Sequence, residues 1–162
     1  MTRTPSEQRR DGQLLSAALK GVRKHRSMKA ADVALAMNMP VRTYEHFEGG
    51  HGRLNLDYLH RFCAATDSDP GALLAAVAIG SPEFARRCAD NKLMMILTIA
   101  LQEFDRAMGD RTRQLEAREL IAAFGALFDK LESDSRGREE AASEWLQAGT
   151  QRLREKRPKP GR

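Results

Sequence analysis

Residues 28–50, MKAADVALAMNMPVRTYEHFEGG, carry the pattern that most restricts how this chain can fold. Val33, Ala34 and Met37 share one face at helical spacing and predict a short helix over residues 29–37. Asn38 follows, a residue that tolerates the left-handed backbone a tight turn needs. Pro40 stands where a second helix begins, a place that suits a residue with no backbone N–H and a fixed φ. In that second helix Tyr44 and Phe47 face inward together with Met39. Val41, Arg42, Glu45 and His46 are left pointing outward. Two short helices joined by such a turn make a helix-turn-helix, whose second helix can enter the major groove of DNA.

The remaining apolar residues also recur at helical spacing, so the fold class expected is all-α. A first helix is expected over residues 11–25, burying Leu14, Leu15, Ala18, Leu19 and Val22. After the central motif, the loop GGHGRLN reads as exposed. A fourth helix over residues 56–65 would bury Leu59, Phe62 and Cys63. A fifth, opened by the cap-then-proline pair Asp69-Pro70, would bury Leu73, Leu74 and Val77 and end at Gly80. Ser81-Pro82-Glu83 is a second start of that kind and opens a long helix to about residue 108. Within it residues 93–101, LMMILTIAL, are apolar almost all round, which calls for burial on several sides. Two further helices are expected. One spans residues 112–132 with Leu120, Phe124, Leu127, Phe128 and Leu131. The other spans residues 138–155 with Ala142, Trp145, Leu146, Gly149 and Leu153, after a turn at residues 133–137.

The domain division expected is a disordered basic N-terminus at 1–10, a five-helix domain at 11–80, a C-terminal bundle of about three helices at 81–155 for dimerisation or interaction, and a disordered basic tail at 156–162. The 162 residues suit one small domain with an extension. No stretch approaches the roughly 20 apolar residues of a membrane span, and the first residues lack the apolar core of a secretory signal. Cys63 and Cys88 form no CxxC pair and fall in apolar helical patterns, as buried thiols in a reducing cytoplasm do. The net charge of +5 permits an anionic partner, and its distribution says more than its size. Arg3, Arg9, Arg10, Lys20, Arg23, Lys24 and Arg26 crowd the first segment. Arg152, Arg154, Lys156, Arg157, Lys159 and Arg162 crowd the last. The four histidines are scattered, the GGHG run lacks the lysine and hydroxyl of a phosphate loop, and no nucleophile–base constellation follows from spacing. The expectation is therefore no enzyme, no metal and no cofactor.

Residues 14–74 resemble the phage-repressor/Cro-type (XRE) helix-turn-helix family. Met28 takes the apolar position that opens the motif, and Ala34 the small residue that lets the two helices cross closely. Met39 is the apolar residue just after the turn, and Tyr44 and Phe47 are the buried pair of the recognition helix. Glu48 falls where the family often has a glutamate paired to an arginine of helix 1, and Arg23 occupies that arginine's position. The resemblance thus implies a structural pair, Arg23 and Glu48. It departs from the family pattern at three places. Asn38 replaces the usual turn glycine, Pro40 a small hydroxyl cap, and Ala30 a glutamine that touches the phosphate backbone.

The resemblance implies a transcriptional regulator on double-stranded DNA, a repressor acting as a homodimer through its C-terminal helices on a palindromic operator, in the nucleoid-associated cytoplasm. Val41, Arg42, Glu45 and His46 are the candidate base readers. Arginine bonds guanine twice in the major groove, a valine meets the thymine methyl, and a glutamate accepts from cytosine. Lys29, Thr43, His51 and Arg53 are the candidate phosphate contacts, which position without reading sequence. Each also has a plain reading as a solvated surface side chain. Two alternatives stand beside this one. One is an antitoxin-like regulator whose C-terminal region binds a protein partner. The other is an interaction adaptor that keeps the fold without DNA binding, which the acidic Glu45 and Glu48 and the missing glutamine at Ala30 favour. The run at 93–101 reads as a packed core or dimer seam ahead of a ligand pocket.

Overall fold

In the computed structural model, which describes residues 4–155, the chain is all-helical, with no strand among the described residues. The helices are α1 (Pro5–His25), α2 (Ala30–Ala36), α3 (Val41–Glu48), α4 (Leu56–Thr66), α5 (Pro70–Ala78), α6 (Pro82–Arg87), α7 (Leu93–Met108) and α8 (Ala117–Glu155), with a 3-10 turn at Gly109–Gln114 before α8. The chain divides into two units after Ala107. No helix among the described residues is long and apolar enough to cross a membrane. The basic tail expected at 156–162 lies outside the described residues.

Helix α1 opens at Pro5, six residues before the expected start, so the described part of the N-terminal stretch is helical rather than disordered. The reason is local. The Thr4 hydroxyl accepts from the Glu7 backbone at 3.3 Å while the Thr4 backbone donates to the Glu7 carboxylate at 2.7 Å. This reciprocal box with proline at the first helical position starts a helix even in a polar stretch. At its other end Arg26 gathers neighbouring elements. It donates to the carbonyls of Thr66 at 2.8 Å and Asp67 at 2.7 Å, and pairs with Asp90 at 2.7 Å. His25 joins the same carboxylate at 3.0 Å. These hydrogen bonds, His25 first and Arg26 next, hold the Asp90 carboxyl below its ordinary range.

The core of the first unit joins Leu15, Ala18, Leu19 and Val22 of α1 to Val33, Ala34 and Met37 around α2, Tyr44 and Phe47 of α3, and Leu59, Phe62 and Cys63 of α4. Tyr44 stacks on Phe62 with ring centroids 6.5 Å apart, and Phe47 meets Tyr58 edge-on at 5.7 Å. In α5 the buried residues are Ala72, Leu73 and Ala76, whereas Leu74 is exposed and Val77 half-buried, so the apolar stripe lies one position away from the expected one. Helix α6 packs on α1 and α5 and adds Ala85 to the core, so the packed helices continue past the boundary expected at residue 80.

The long helix expected from Pro82 to residue 108 is two helices. The chain breaks at 88–92, where Lys92 takes a left-handed φ of 54°. Its ammonium reaches the carbonyl and, at 3.0 Å, the carboxylate of Asp67. Helix α7 then starts against buried Asp69. One carboxylate oxygen of Asp69 accepts from Gly71 and Ala72 at 3.0 and 3.3 Å, the first N–H groups of α5. The other accepts from Met94 and Met95 at 2.8 and 3.0 Å, the first turn of α7. Asn91 takes the Leu93 N–H at 3.0 Å. Gly71 has no room for a side chain, since an added Cβ would lie 2.9 Å from that of Met94. The burial expected for the 93–101 run is not found. No residue of α7 is buried, and Met95, Ile96, Ile99 and Leu101 are exposed.

In the second unit the two helices expected after residue 112 are one. Helix α8 continues through residues 133–137 where a turn was expected. A glycine inside a helix costs only about 1 kcal/mol relative to alanine. Around Gly137 the i,i+4 pairs Lys130–Asp134, at 2.9 Å, and Glu132–Arg136 work against a break.

Cys63 is buried, and that burial pushes its thiol up from 9.0 to about 11. Tyr44 is raised in the same way, by burial first and then by its hydrogen bond to Glu48. Both groups are neutral when protonated, so folding favours the protonated form. The Cys63 contribution is complete below pH 9 and is lost as the pH rises through 11, whereas that of Tyr44 lasts to higher pH. The melting temperature is therefore expected to hold to pH 9 and to fall between pH 9 and 11. A melting temperature that stays level across that window would contradict the burial of Cys63.

Candidate nucleic-acid interface

The corner between α2 and α3 is fixed by backbone chemistry. Asn38 takes a left-handed φ of 51°, as its short polar side chain allows. The turn closes with hydrogen bonds from Asn38 to the Leu35 carbonyl and from Met39 to the Ala34 carbonyl, each 3.0 Å. Arg61 of α4 completes it. Its guanidinium donates to the carbonyls of Met37 and, at 3.0 Å, Asn38, which satisfies the exposed end of α2. The same group lies over the Tyr58 ring, 5.8 Å from its centroid. Sequence reasoning gave Arg61 no role, because the two carbonyls it holds are more than twenty residues away and no local pattern marks them.

The inner face of α3 is anchored through Glu48. Arg23 grips the Glu48 carboxylate with two hydrogen bonds of 2.5 and 3.1 Å and also donates to the Met28 carbonyl at 3.1 Å. The Tyr44 hydroxyl donates to the same carboxylate at 2.7 Å. The side chains of Arg23 and Glu48 are only 16% and 7% exposed, so these bonds are shielded from water. The hydrogen bond to Glu48 raises the Arg23 guanidinium above its ordinary value. The loop after α3 meets α1 without side chains. A Cβ on Gly12 would lie 2.5 Å from the Gly50 carbonyl oxygen, and Gly50 has a φ of 70°. Only glycine at both places permits that approach.

With Tyr44, Phe47 and Glu48 buried, the outer face of α3 carries Val41, Arg42, Glu45 and His46, all exposed. Their spacing puts them within about 140° of one another around a helix of 3.6 residues per turn. Thr43 is half-buried at the edge of this face. Lys29 is exposed where α2 begins, its backbone N–H held by Asp32 at 2.9 Å. His51 and Arg53 are exposed in the loop after α3. The His51 ring lies 5.4 Å from that of His46, so one phosphate-contact candidate and one base-reading candidate are brought together. Arg23 and Arg26 contribute little outward charge, since both are turned into the ion pairs and carbonyls of the fold. The face is thus one guanidinium, two imidazoles and a methyl-bearing side chain around a single carboxylate, which can donate to anions or base edges. Among the described residues no group of histidines, cysteines and carboxylates could hold a metal ion. Comparisons with protein families, with curated proteins and with solved structures found no match to this chain.

Proposed function

We propose that this chain is a sequence-specific DNA-binding transcriptional regulator. On this reading α1 to α5 form a repressor-like helix-turn-helix domain and α3 is its recognition helix. The observation that carries the reading is the division of α3. Its inner face is bolted to α1 by Glu48 and Arg23, while Val41, Arg42, Glu45 and His46 stand clear. A rigid short helix with a free polar face is what major-groove reading requires. Arg42 reads a guanine, Val41 and His46 reach neighbouring base edges, and Glu45 accepts from a cytosine. Lys29, Thr43, His51 and Arg53 hold phosphates on either side. One such helix reads only a few base pairs, so two copies act on a palindromic operator, in the nucleoid-associated cytoplasm, and block transcription by occupying the promoter.

Paired substitutions test the assignment. Arg42→Ala is expected to weaken binding to the preferred duplex by about 1–3 kcal/mol and to relax preference at one base position. Arg53→Ala is expected to weaken all duplexes alike and to reduce the salt slope by about one unit. Fluorescence anisotropy on a panel of duplexes across a salt series measures both. Unchanged binding by Arg42→Ala removes Arg42 as a reader, and a parent chain that binds no duplex favours the adaptor reading, in which Glu45 and its neighbours face a protein.

A further inference from the structure

We infer that α8 pairs with α8 of a second copy of this chain, antiparallel and over its whole length. The helix is 39 residues long, about 58 Å at 1.5 Å per residue. Leu120, Ile121, Phe124, Leu127, Phe128 and Leu131 form one stripe along it, and all six are exposed, Ile121 by 73%. The stripe resumes at Trp145, 69% exposed, and Leu146. These side chains together present on the order of 800 Å² of apolar surface, given 150–250 Å² for a whole aromatic. That is the share one partner brings to a stable interface of standard size.

The spacing names the occupant. In a heptad, Phe124, Leu131, Arg138 and Trp145 take one seam position, and Leu127, Asp134, Ala141 and Ala148 the other. The apolar seam is therefore interrupted by one acid and one base, four residues apart. A parallel in-register pair would set Asp134 against Asp134 and Arg138 against Arg138, like charges in the seam. An antiparallel pair centred on residue 136 sets Asp134 of each copy against Arg138 of the other. The same alignment puts Phe124 opposite Ala148 and Leu131 opposite Ala141, large against small, and sets Leu127 against Trp145, two exposed apolar side chains that cover each other. Charge and volume select the same register. The pairing would supply the two copies that a palindromic operator needs, but its test uses no DNA, so either proposal can fail without the other.

Light scattering and cysteine crosslinking on the full chain test it. The full-length protein is expected to be a dimer at micromolar concentration. A Leu131→Cys, Ala141→Cys double variant is expected to form a covalent dimer on mild oxidation, while Leu131→Cys alone and the parent chain do not. The parent is the control for Cys63 and Cys88, both buried. Both substitutions lie on the open face of α8, and an unchanged melting temperature verifies that the variants fold. A monomer overturns the proposal. Crosslinking by Leu131→Cys alone overturns the antiparallel sense, and a dimer in which the double variant does not crosslink overturns the register.

Discussion

Glu48→Ala is expected to lower the free energy of unfolding by about 3–5 kcal/mol, because it strands a charge that the fold has withdrawn from water. Arg23 has given up most of its hydration for the Glu48 carboxylate and the Met28 carbonyl. Without Glu48 it keeps only the carbonyl, and the Tyr44 hydroxyl loses its acceptor as well. Arg23→Ala leaves the opposite charge buried and is expected to cost a similar amount. The double variant is expected to cost much less than the sum of the two, since neither charge is then stranded. Tyr44→Phe removes one hydrogen bond and is expected to cost about 1 kcal/mol. Urea denaturation of the four variants measures the set. Midpoints for Glu48→Ala and Arg23→Ala equal to that of the parent would contradict the shielded pair. Glu48 lies in the last turn of α3, so its bonds to Arg23 and Tyr44 also fix how the outer face of that helix is presented.

Asp69→Ala is expected to be the other large effect, a loss of about 2–4 kcal/mol. An N-cap replaced by alanine costs about 0.5–2 kcal/mol, and Asp69 caps two helices at once. Its two oxygens accept four backbone N–H groups, two from α5 and two from α7. Alanine leaves the Gly71, Met94 and Met95 N–H groups without this acceptor at a partly buried junction, while the Ala72 N–H keeps the Asp69 carbonyl at 3.1 Å. Asp69→Asn keeps one acceptor oxygen and is expected to lose about half as much, with the amide turned to whichever helix gains more. Denaturation gives the totals. Hydrogen exchange separates the helices, because the Met94 and Met95 amides should lose protection in Asp69→Ala even where the α1 core stays protected. A loss below about 1 kcal/mol, or unaltered exchange at Met94 and Met95, would rule out the shared cap.

These two residues also mark what the sequence could and could not convey. Glu48 and Arg23 were legible as a pair only through the family resemblance, whereas Asn38 and Pro40 announce the turn by their own backbone preferences. Asp69 was legible as a cap for α5, since its proline follows directly. Its second duty was not, because α7 begins 24 residues later and nothing near residue 93 names its acceptor. The same holds for the break at 88–92. It contains neither glycine nor proline, and the Asp67 that Lys92 reaches there is 25 residues away, so no local pattern names it. The early start of α1 is a different matter. Thr4, Pro5 and Glu7 spell a cap in the sequence, but the polarity of the segment outweighed it. In α8 the serines and Gly137 suggested a turn, yet side-chain pairs one turn apart hold the helix straight through. The outer face of α3 was legible as a set of positions, because the inward spacing of Tyr44 and Phe47 leaves Val41, Arg42, Glu45 and His46 outside.

The central claim is that the outer face of α3 reads DNA sequence. The most direct measurement is selection of bound duplexes from a random pool by the full-length protein, repeated with Arg42→Ala. The account predicts enrichment of a palindrome whose half-sites lie about 34–36 Å apart or a multiple of that, with the Arg42→Ala selection losing preference at one guanine in each half. A pool that stays random after repeated rounds, or the same motif recovered unchanged with Arg42→Ala, would contradict it.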